Sequence, residues 1–496
     1  MSVAIETGRS AAPQVPSRRP TSLLRERGMG ASVLVAALSA GFGVVLLTTT
    51  GYLADLLTLV FGESGTLAVV IAMLAVVFVV IAMYVGAIVT SNTFSTVVAG
   101  RTRQIALMRL IGASARSQRS AVARQGLAVG ALGATIGLIA GLGLSAAGTR
   151  IADAVVAEQV AGAGLPALPA VDYNVLQPWV LLPTVAVVLT TWLAAWVGSR
   201  RVIDVTPLQA LGGAAPRSAA EARGGVKRNV GSIILLAIGF GLLGLGVAIG
   251  LESPLGLPVA FLGGLLSFTG LVTGATLVMP PVLRLVGRVF GGAATARMAA
   301  ENALRYPERS SRMAIGVVVG VTLVTMFAVA TESAKSVLIA NSDPGDLAEG
   351  LVALDMFSAV MMGLVAVAAV IAAVGLVNLL TIGVVQRRTE LGLLRAIGLS
   401  NPQIRRMVLL EAAHVTIAAV LFGLMLGAFY GWAGAQSLLG AVSLTGSPSG
   451  SLVVPAVPWL VVAVIVVATV VLTLVAAVGP TRLATRVSPV EALAAD

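Results

Sequence analysis

Apolar residues in this chain do not alternate with polar ones. They run on for about twenty residues, stop at clusters of arginine, glycine and proline, and then begin again. Runs long enough to cross about 30 Å of hydrocarbon as helices lie near 30–50, 66–90, 126–147, 179–198, 230–250, 258–280, 313–330, 356–385, 412–433 and 458–479. The pattern predicts ten membrane-spanning helices, with 230–280 the most interrupted by Gly and Pro. No charged residue occurs from Met356 to Gln386, nor from Ala412 to Thr481. A closed β-barrel would need alternating segments of about ten residues instead. The predicted fold class is all-α, a polytopic helical membrane protein.

Composition agrees. Of the 496 residues 57% are hydrophobic and 11% charged, against roughly 25% charged in a soluble domain. The net charge of +11 would suggest nucleic acid in a soluble protein. Here 30 of the 32 Lys and Arg residues fall in six segments (1–29, 101–124, 200–228, 284–312, 387–406 and 482–486), which alternate with the pairs of spans. The other faces keep only Arg150 and Lys335, with eleven of the 21 acids. By the positive-inside rule both termini are expected in the cytoplasm, in a multi-pass protein of the cytoplasmic (plasma) membrane whose loops face anionic lipid and not nucleic acid. The first apolar run reads as an uncleaved helix, because no small-residue cleavage site follows it. The lack of cysteine excludes disulfides and thiolate metal sites, and the single histidine argues against histidine-based catalysis or a histidine metal cluster.

The chain repeats itself. Residues 100–125 align with 386–411 at an offset of 286: Arg101 with Arg387, Gln104 with Glu390, Leu107 with Leu393, Arg109 with Arg395, Ile111 with Ile397, Gly112 with Gly398, Ser114 with Ser400, and Arg119 with Arg405. A second echo pairs 199–211 with 481–493, each holding Pro-x-x-Ala-Leu. An even number of spans separates the copies, so the repeat is parallel and the spans group as 4+2+4. The expected organisation is a tail (1–29), a first four-helix unit (30–211), a Gly/Ala/Arg-rich linker (212–229), a central two-helix hairpin (230–283) and a second four-helix unit (284–496).

The repeated loop has a local reading. Ile105, Met108 and Ile111, like Leu391, Leu394 and Ile397, recur every third residue and place an apolar stripe on one side of a helix. Gly112 and Gly398 suit the left-handed residue that ends it. Ser114 and Ser400 suit the start of the next, and Ser400-Asn401-Pro402-Gln403 has capping-box spacing with Pro in the first turn. Two helices would thus meet at a tight elbow. Topology requires charge there, but not glycine, serine and isoleucine in the same places twice.

These residues resemble the motif of FtsX-like ABC transporter permeases, the family that includes MacB, LolC/LolE and ten-span BceB-type permeases. The second copy fits closely through Arg387, Glu390, Leu391, Leu394, Arg395, Ala396, Ile397, Gly398 and Ser400, then Ser488, Pro489, Glu491, Ala492 and Leu493. The first departs at Gln104, Leu110 and Gln209. Asn302 to Arg309 also resembles the family's entry to a four-span unit. The resemblance implies that each elbow docks on a separate ATP-binding subunit, two copies per permease, with ATP and Mg used by that partner and no cofactor held by this chain. The coupling residues would be Arg101, Gln104, Arg109, Gly112 and Ser114 in one elbow and Arg387, Glu390, Arg395, Gly398 and Ser400 in the other. Independently, a phosphate loop requires Gly-Lys-Ser/Thr, and neither lysine, Lys227 or Lys335, follows glycine. The external loops, near 51–65 and 331–355, are too short for the large extracellular domain many members carry.

Other features read as structural. His414 sits one turn past Glu411 and is expected to be a hydrogen-bonded interfacial residue. Glu411 is a candidate for an ion pair with Arg405 or Arg406 at the membrane edge. Asp343-Pro344-Gly345-Asp346 lacks the spaced ligands of a calcium loop. Gly137 with Gly141, and Gly423 with Gly427, have the spacing of close helix contacts. Two further functions compete with a permease. A secondary transporter would need acids or bases within the spans, and these carry charge only near their ends. A membrane enzyme would need a nucleophile dyad, carboxylate pair or metal set, and none occurs. A non-transporting regulator moved by an ATPase, and export of an amphiphile, both stay open.

Overall fold

The computed structural model describes residues 29–61, 114–162, 173–199, 226–288, 294–305, 307–341, 398–441 and 452–471, with isolated positions between 73 and 91 and at 393–394. Among these residues every regular element is helical and there is no strand. The helices are α1 (Met29–Phe61), α2 (Ala115–Gly162), α3 (Leu181–Gly198), α4 (Val226–Ile249), α5 (Gly256–Thr273), α6 (Ala275–Gly287), α7 (Ala294–Arg305), α8 (Pro307–Asn341), α9 (Asn401–Leu439) and α10 (Trp459–Val471). Seven helical stretches are long and apolar enough to span a bilayer: Ser32–Leu56, Arg116–Ala154, Pro178–Val197, Asn229–Ile249, Gly256–Thr273, Ser310–Ala340 and Asn401–Leu439. They correspond to seven of the ten expected spans. The expected span at 356–385 lies outside the described residues, as does most of that at 66–90; at 458–479 the described part is α10. The protein is an all-α, multi-pass membrane protein.

Several helices outrun the spans expected from hydropathy. At 1.5 Å per residue the 48 residues of α2 extend about 72 Å, and the 39 of α9 about 58 Å, against about 30 Å of hydrocarbon. Stretches expected as loops begin as helix: α1 continues to Phe61, α2 to Gly162, α8 to Asn341 and α9 to Leu439. The physical reason is that hydropathy marks where water begins, whereas a helix continues as long as its residues tolerate it. The polar end of α2, Arg150-Ile151-Ala152-Asp153-Ala154, holds strong helix formers in Arg150, Ala152 and Ala154 and neither Gly nor Pro. The expected span at 258–280 is also broken. Gly274 separates α5 from α6, and α6 runs on to Gly287 with Pro280 and Pro281 inside it.

Close approach between helices rests on small residues, as expected where lipid supplies no hydrophobic drive and packing must hold the helices together. On α2, a Cβ at Gly137 would run into the Ala37 carbonyl of α1, and one at Gly141 would lie 2.9 Å from the Val44 Cβ. On α9, a Cβ at Gly423 would lie 2.9 Å from the Val321 Cβ of α8, and one at Gly427 would lie 2.7 Å from the Thr322 carbonyl. Gly137 and Gly423, like Gly141 and Gly427, are 286 apart. On the partner helices Ala40 and Val321, Gly41 and Thr322, and Val44 and Thr325 are each 281 apart. The α1–α2 and α8–α9 pairs therefore pack in one register. One layer differs in chemistry. The hydroxyls of Thr48 and Ser145 hydrogen-bond at 2.6 Å, while the corresponding Val329 and Gly431 touch through carbon, with a Cβ at Gly431 placed 3.1 Å from that of Val329.

The main core joins α8 and α9 with α6, α7, the α4–α5 hairpin and one face of α1. A second, smaller core of Val33, Val122, Val129, Ala194 and Ala195 ties α1, α2 and α3.

Candidate functional site

The elbow begins at Gly398, where φ is +105°. Side chains are strained in that region, while glycine enters it freely. The turn closes by a hydrogen bond from the Leu399 N–H to the Leu394 carbonyl at 3.0 Å, five residues back, as in a helix end terminated by a left-handed glycine. Leu394 and Leu399, on either side of the bend, pack on buried Ile404, Met407 and Val408 of α9. Ser400 is extended at φ −74°, ψ 155°, and its carbonyl accepts the first helical bond, from Ile404 N–H at 3.1 Å. The Gln403 Oε1 accepts from both the Ser400 backbone N–H at 2.9 Å and its hydroxyl at 3.0 Å. The bend is thus fixed by one backbone sign, one apolar clasp and one cap.

The corresponding Ser114 opens α2. Its Oγ accepts from Ser117 N–H at 3.1 Å, and its carbonyl from Gln118 N–H at 3.1 Å. Both serines therefore start a helix, and at Ser400 the side chain of Gln403 completes a capping box. Arg101, Gln104, Arg109 and Gly112 lie outside the described residues, as do Arg387, Glu390, Arg395 and the acidic turn Asp343–Asp346.

Behind the second elbow lies a buried polar node. His414 is fully buried, and its Nε2 lies 2.8 Å from the Leu283 carbonyl of α6. A carbonyl only accepts, so Nε2 carries the proton. Glu411 is buried as well, and its Oε2 accepts from Asn302 Nδ2 of α7 at 2.7 Å. One turn beyond, the Ser310 hydroxyl donates to the Ala303 carbonyl at 2.6 Å, holding the start of α8 to α7. The node gives Glu411 the partner Asn302 on α7, whereas the expected partners were Arg405 and Arg406. Those arginines precede it by six and five residues, which turns them about 240° and 140° around the helix, and both are exposed. In the first unit, by contrast, Arg119 stacks over the Trp196 ring of α3 at 4.1 Å, a contact of the kind worth about 0.5–1 kcal/mol.

The opposite ends of the α1–α2 and α8–α9 pairs differ. The Tyr52 hydroxyl donates to Asp153 Oδ1 at 2.6 Å, joining α1 to α2, and the Tyr173 ring meets Tyr52 edge-on at 6.3 Å. Burial, aided by the Asp55 carboxylate, pushes the Tyr173 phenol up to about 12. In the second unit the fully buried Gln436 accepts the Val453 N–H at 2.6 Å, Trp432 Nε1 donates to the Val453 carbonyl at 2.9 Å, and Ser333 Oγ accepts from Ala456 N–H at 3.1 Å. Tyr173 and Val453 are 280 apart. The same offset links Pro178-Trp179 with Pro458-Trp459, at the start of α3 and α10. These tryptophans are 52% and 76% exposed, as suits rings anchored at a membrane–water boundary. Sequence reasoning missed this echo, although a search at offsets other than 282 and 286 would have found it. It also missed Asn302 as the partner of Glu411, since no motif links residues so far apart.

Among the described residues no group of three or more His, Cys, Asp or Glu could hold a metal. The described residues thus form a membrane protein of packed helices with a fixed bend at Gly398. The model of the FtsX-like permease C-terminal family matches residues 76–207 and 362–489, just over half of the chain. This protein belongs to the FtsX-like permease family. The first match takes in Ser114, α2 and α3; the second takes in Gly398, Ser400, α9 and α10; α4 to α8 lie between them. The chain is also similar to the ABC transporter permease YtrF of Bacillus subtilis (strain 168), with 38% identity over 60 residues, 12% of this chain and 14% of that protein. The match thus spans about a seventh of that relative.

Proposed function

We propose that this chain is the membrane subunit of an ABC transporter in which a separate ATPase, present in two copies, docks at the two elbows. ATP hydrolysis there drives the helices that follow, α2 and α9, and so powers export of an amphiphile or transmits force across the plasma membrane. The elbows face the cytoplasm, as do both termini. The observation that carries this reading is the bend at Gly398. A left-handed glycine, a leucine clasp and a cap fix the path of the chain into the long α9, within the second family match. A push at such a bend is delivered along α9 and is not absorbed by the joint.

The two family matches are read as parallel copies of one four-helix unit. The common packing register of α1–α2 and α8–α9 supports this, as does the echo of Pro178-Trp179 in Pro458-Trp459. The first elbow, with Gln104 where the second has Glu390, offers its partner one charge fewer.

Co-purification tests the proposal. Tagged chain expressed with its native neighbours should bring down a nucleotide-hydrolysing subunit, and Arg395→Glu or Gly398→Pro should reduce the yield of that subunit. Recovery of no ATPase, together with full activity of both variants, would refute the elbow's role. Inside-out vesicles with ATP supplied outside then separate export from force transmission, since only export accumulates a labelled amphiphile in the lumen.

A further inference from the structure

The α4–α5 hairpin lies between the two family matches, and its contacts suggest a task. It is fastened along α9 at two levels, and α6 adds a third. Farthest from the elbow, a Cβ at Gly250 would lie 2.5 Å from the Ser437 Cα, and one at Gly440 would lie 2.7 Å from the Gly250 carbonyl. Midway, the hydroxyls of Ser267 and Tyr430 are 2.8 Å apart, with Phe268 edge-on to Tyr430 at 6.2 Å and Phe240 against Phe429 at 6.0 Å. Nearest the elbow, the α6 carbonyl of Leu283 holds His414. From His414 to Ser437 is about 35 Å along a helix, somewhat more than the roughly 30 Å of hydrocarbon.

The other side of the hairpin meets the first unit. The Tyr84 hydroxyl lies 2.7 Å from Thr269 Oγ1, and its ring is edge-on to Phe268 at 6.3 Å. The Thr269 hydroxyl also lies 2.6 Å from the Leu265 carbonyl, with the Tyr84 hydroxyl 3.5 Å from the same carbonyl, and the Ser267 hydroxyl lies 3.0 Å from the Gly264 carbonyl. Both tyrosines are thus tied into the hydrogen bonding of α5 whichever hydroxyl donates. Two tyrosines from different units thus grip one short stretch of α5, with Phe268 between them. Among the described residues the first unit shows no such cover. The α2 positions equivalent to Tyr430 and Ser437 are Leu144 and Ile151, 55% and 64% exposed.

We propose that the hairpin is a strut, carried by the second unit, that fixes the position of the first unit through Tyr84, with Tyr84 and Tyr430 as positioning residues. Interhelical hydrogen bonds add to packing in holding helices together in lipid, and here they join the hairpin to Tyr84 on one side and Tyr430 on the other. The inference rests on the two-unit reading above, but its test needs no ATPase, so each can fail without the other.

The chain has no cysteine, so introduced cysteines carry spin labels without background. Full-length protein in lipid nanodiscs would be labelled in pairs at the exposed positions Val76 and Val230, Val230 and Met425, and, within the first unit, Leu34 and Arg124. Pulsed electron resonance then reads the distances. Tyr84→Phe and Thr269→Val should each replace the single narrow Val76–Val230 peak by a broad distribution, leaving the other two pairs sharp. Thr269→Ser, which keeps the hydroxyl, should restore the peak. Tyr430→Phe and Ser267→Ala should broaden the Val230–Met425 pair. An unchanged Val76–Val230 peak in Tyr84→Phe would overturn the strut, and so would equal broadening of all three pairs, which reports general loosening.

Discussion

Replacing Gly398 by alanine isolates what the elbow requires of its backbone. A Cβ built there meets nothing within 4 Å, so crowding plays no part and only φ +105° is at issue. A left-handed conformation costs an L-residue about 1–2 kcal/mol, and the variant should lose that much. Gly316, inside α8, is the matched control. A Cβ there also meets nothing within 4 Å, but its φ is not in the left-handed region, and Gly→Ala in a helix interior gains about 0.8–1 kcal/mol. The two substitutions add the same methyl group to open space and should shift stability in opposite directions, about 2–3 kcal/mol apart. Reversible unfolding of the purified chain in mixed dodecyl maltoside and sodium dodecyl sulfate micelles reads both. If Gly398→Ala stabilises as much as Gly316→Ala, the bend is not held by the sign of φ and the account of the elbow is wrong.

Gly427→Leu should destabilise by more than the 1–3 kcal/mol typical of overpacking, because its Cβ already lies 2.5 Å from that of Thr325. Gly434→Leu, on the same helix with open space around it, should not, and the same micelle titration compares them. Asn302→Leu strips a hydrogen bond from the buried Glu411 carboxylate and should cost about 1.5–3 kcal/mol, with Glu411→Gln partly relieving the loss in the double variant. Tyr173 should titrate near pH 12 by absorbance at 295 nm. Its folded value is raised above its ordinary 10.0, so its contribution is complete below pH 10 and fades as pH climbs toward 12. Tyr173→Phe should remove that part of the pH profile, and an absorbance midpoint near 10 would contradict the burial described here.

Much of this protein was legible in one dimension. Hydrocarbon thickness imposes a minimum apolar length, so spans such as 230–250 and 412–433 could be read from composition alone. The left-handed glycine at 398 and the serine caps at 114 and 400 are local events within a few residues, and local chemistry determines them. The glycine spacing at 137/141 and 423/427 pointed to close contacts for the same reason. Sequence could not supply the partners. That Glu411 turns to Asn302 and away from Arg405 depends on which face of α9 is covered by α7, and that follows from the packing of whole helices. Nor could hydropathy show that α2 continues to Gly162, since a helix needs only backbone bonds and tolerant side chains to persist into water. The central hairpin lies outside both family matches, and its place became visible only when tertiary structure set Tyr84 and Tyr430 against adjacent hydroxyls. Periodicity and local caps are written in neighbouring residues, while the pairing of distant surfaces depends on three-dimensional fit.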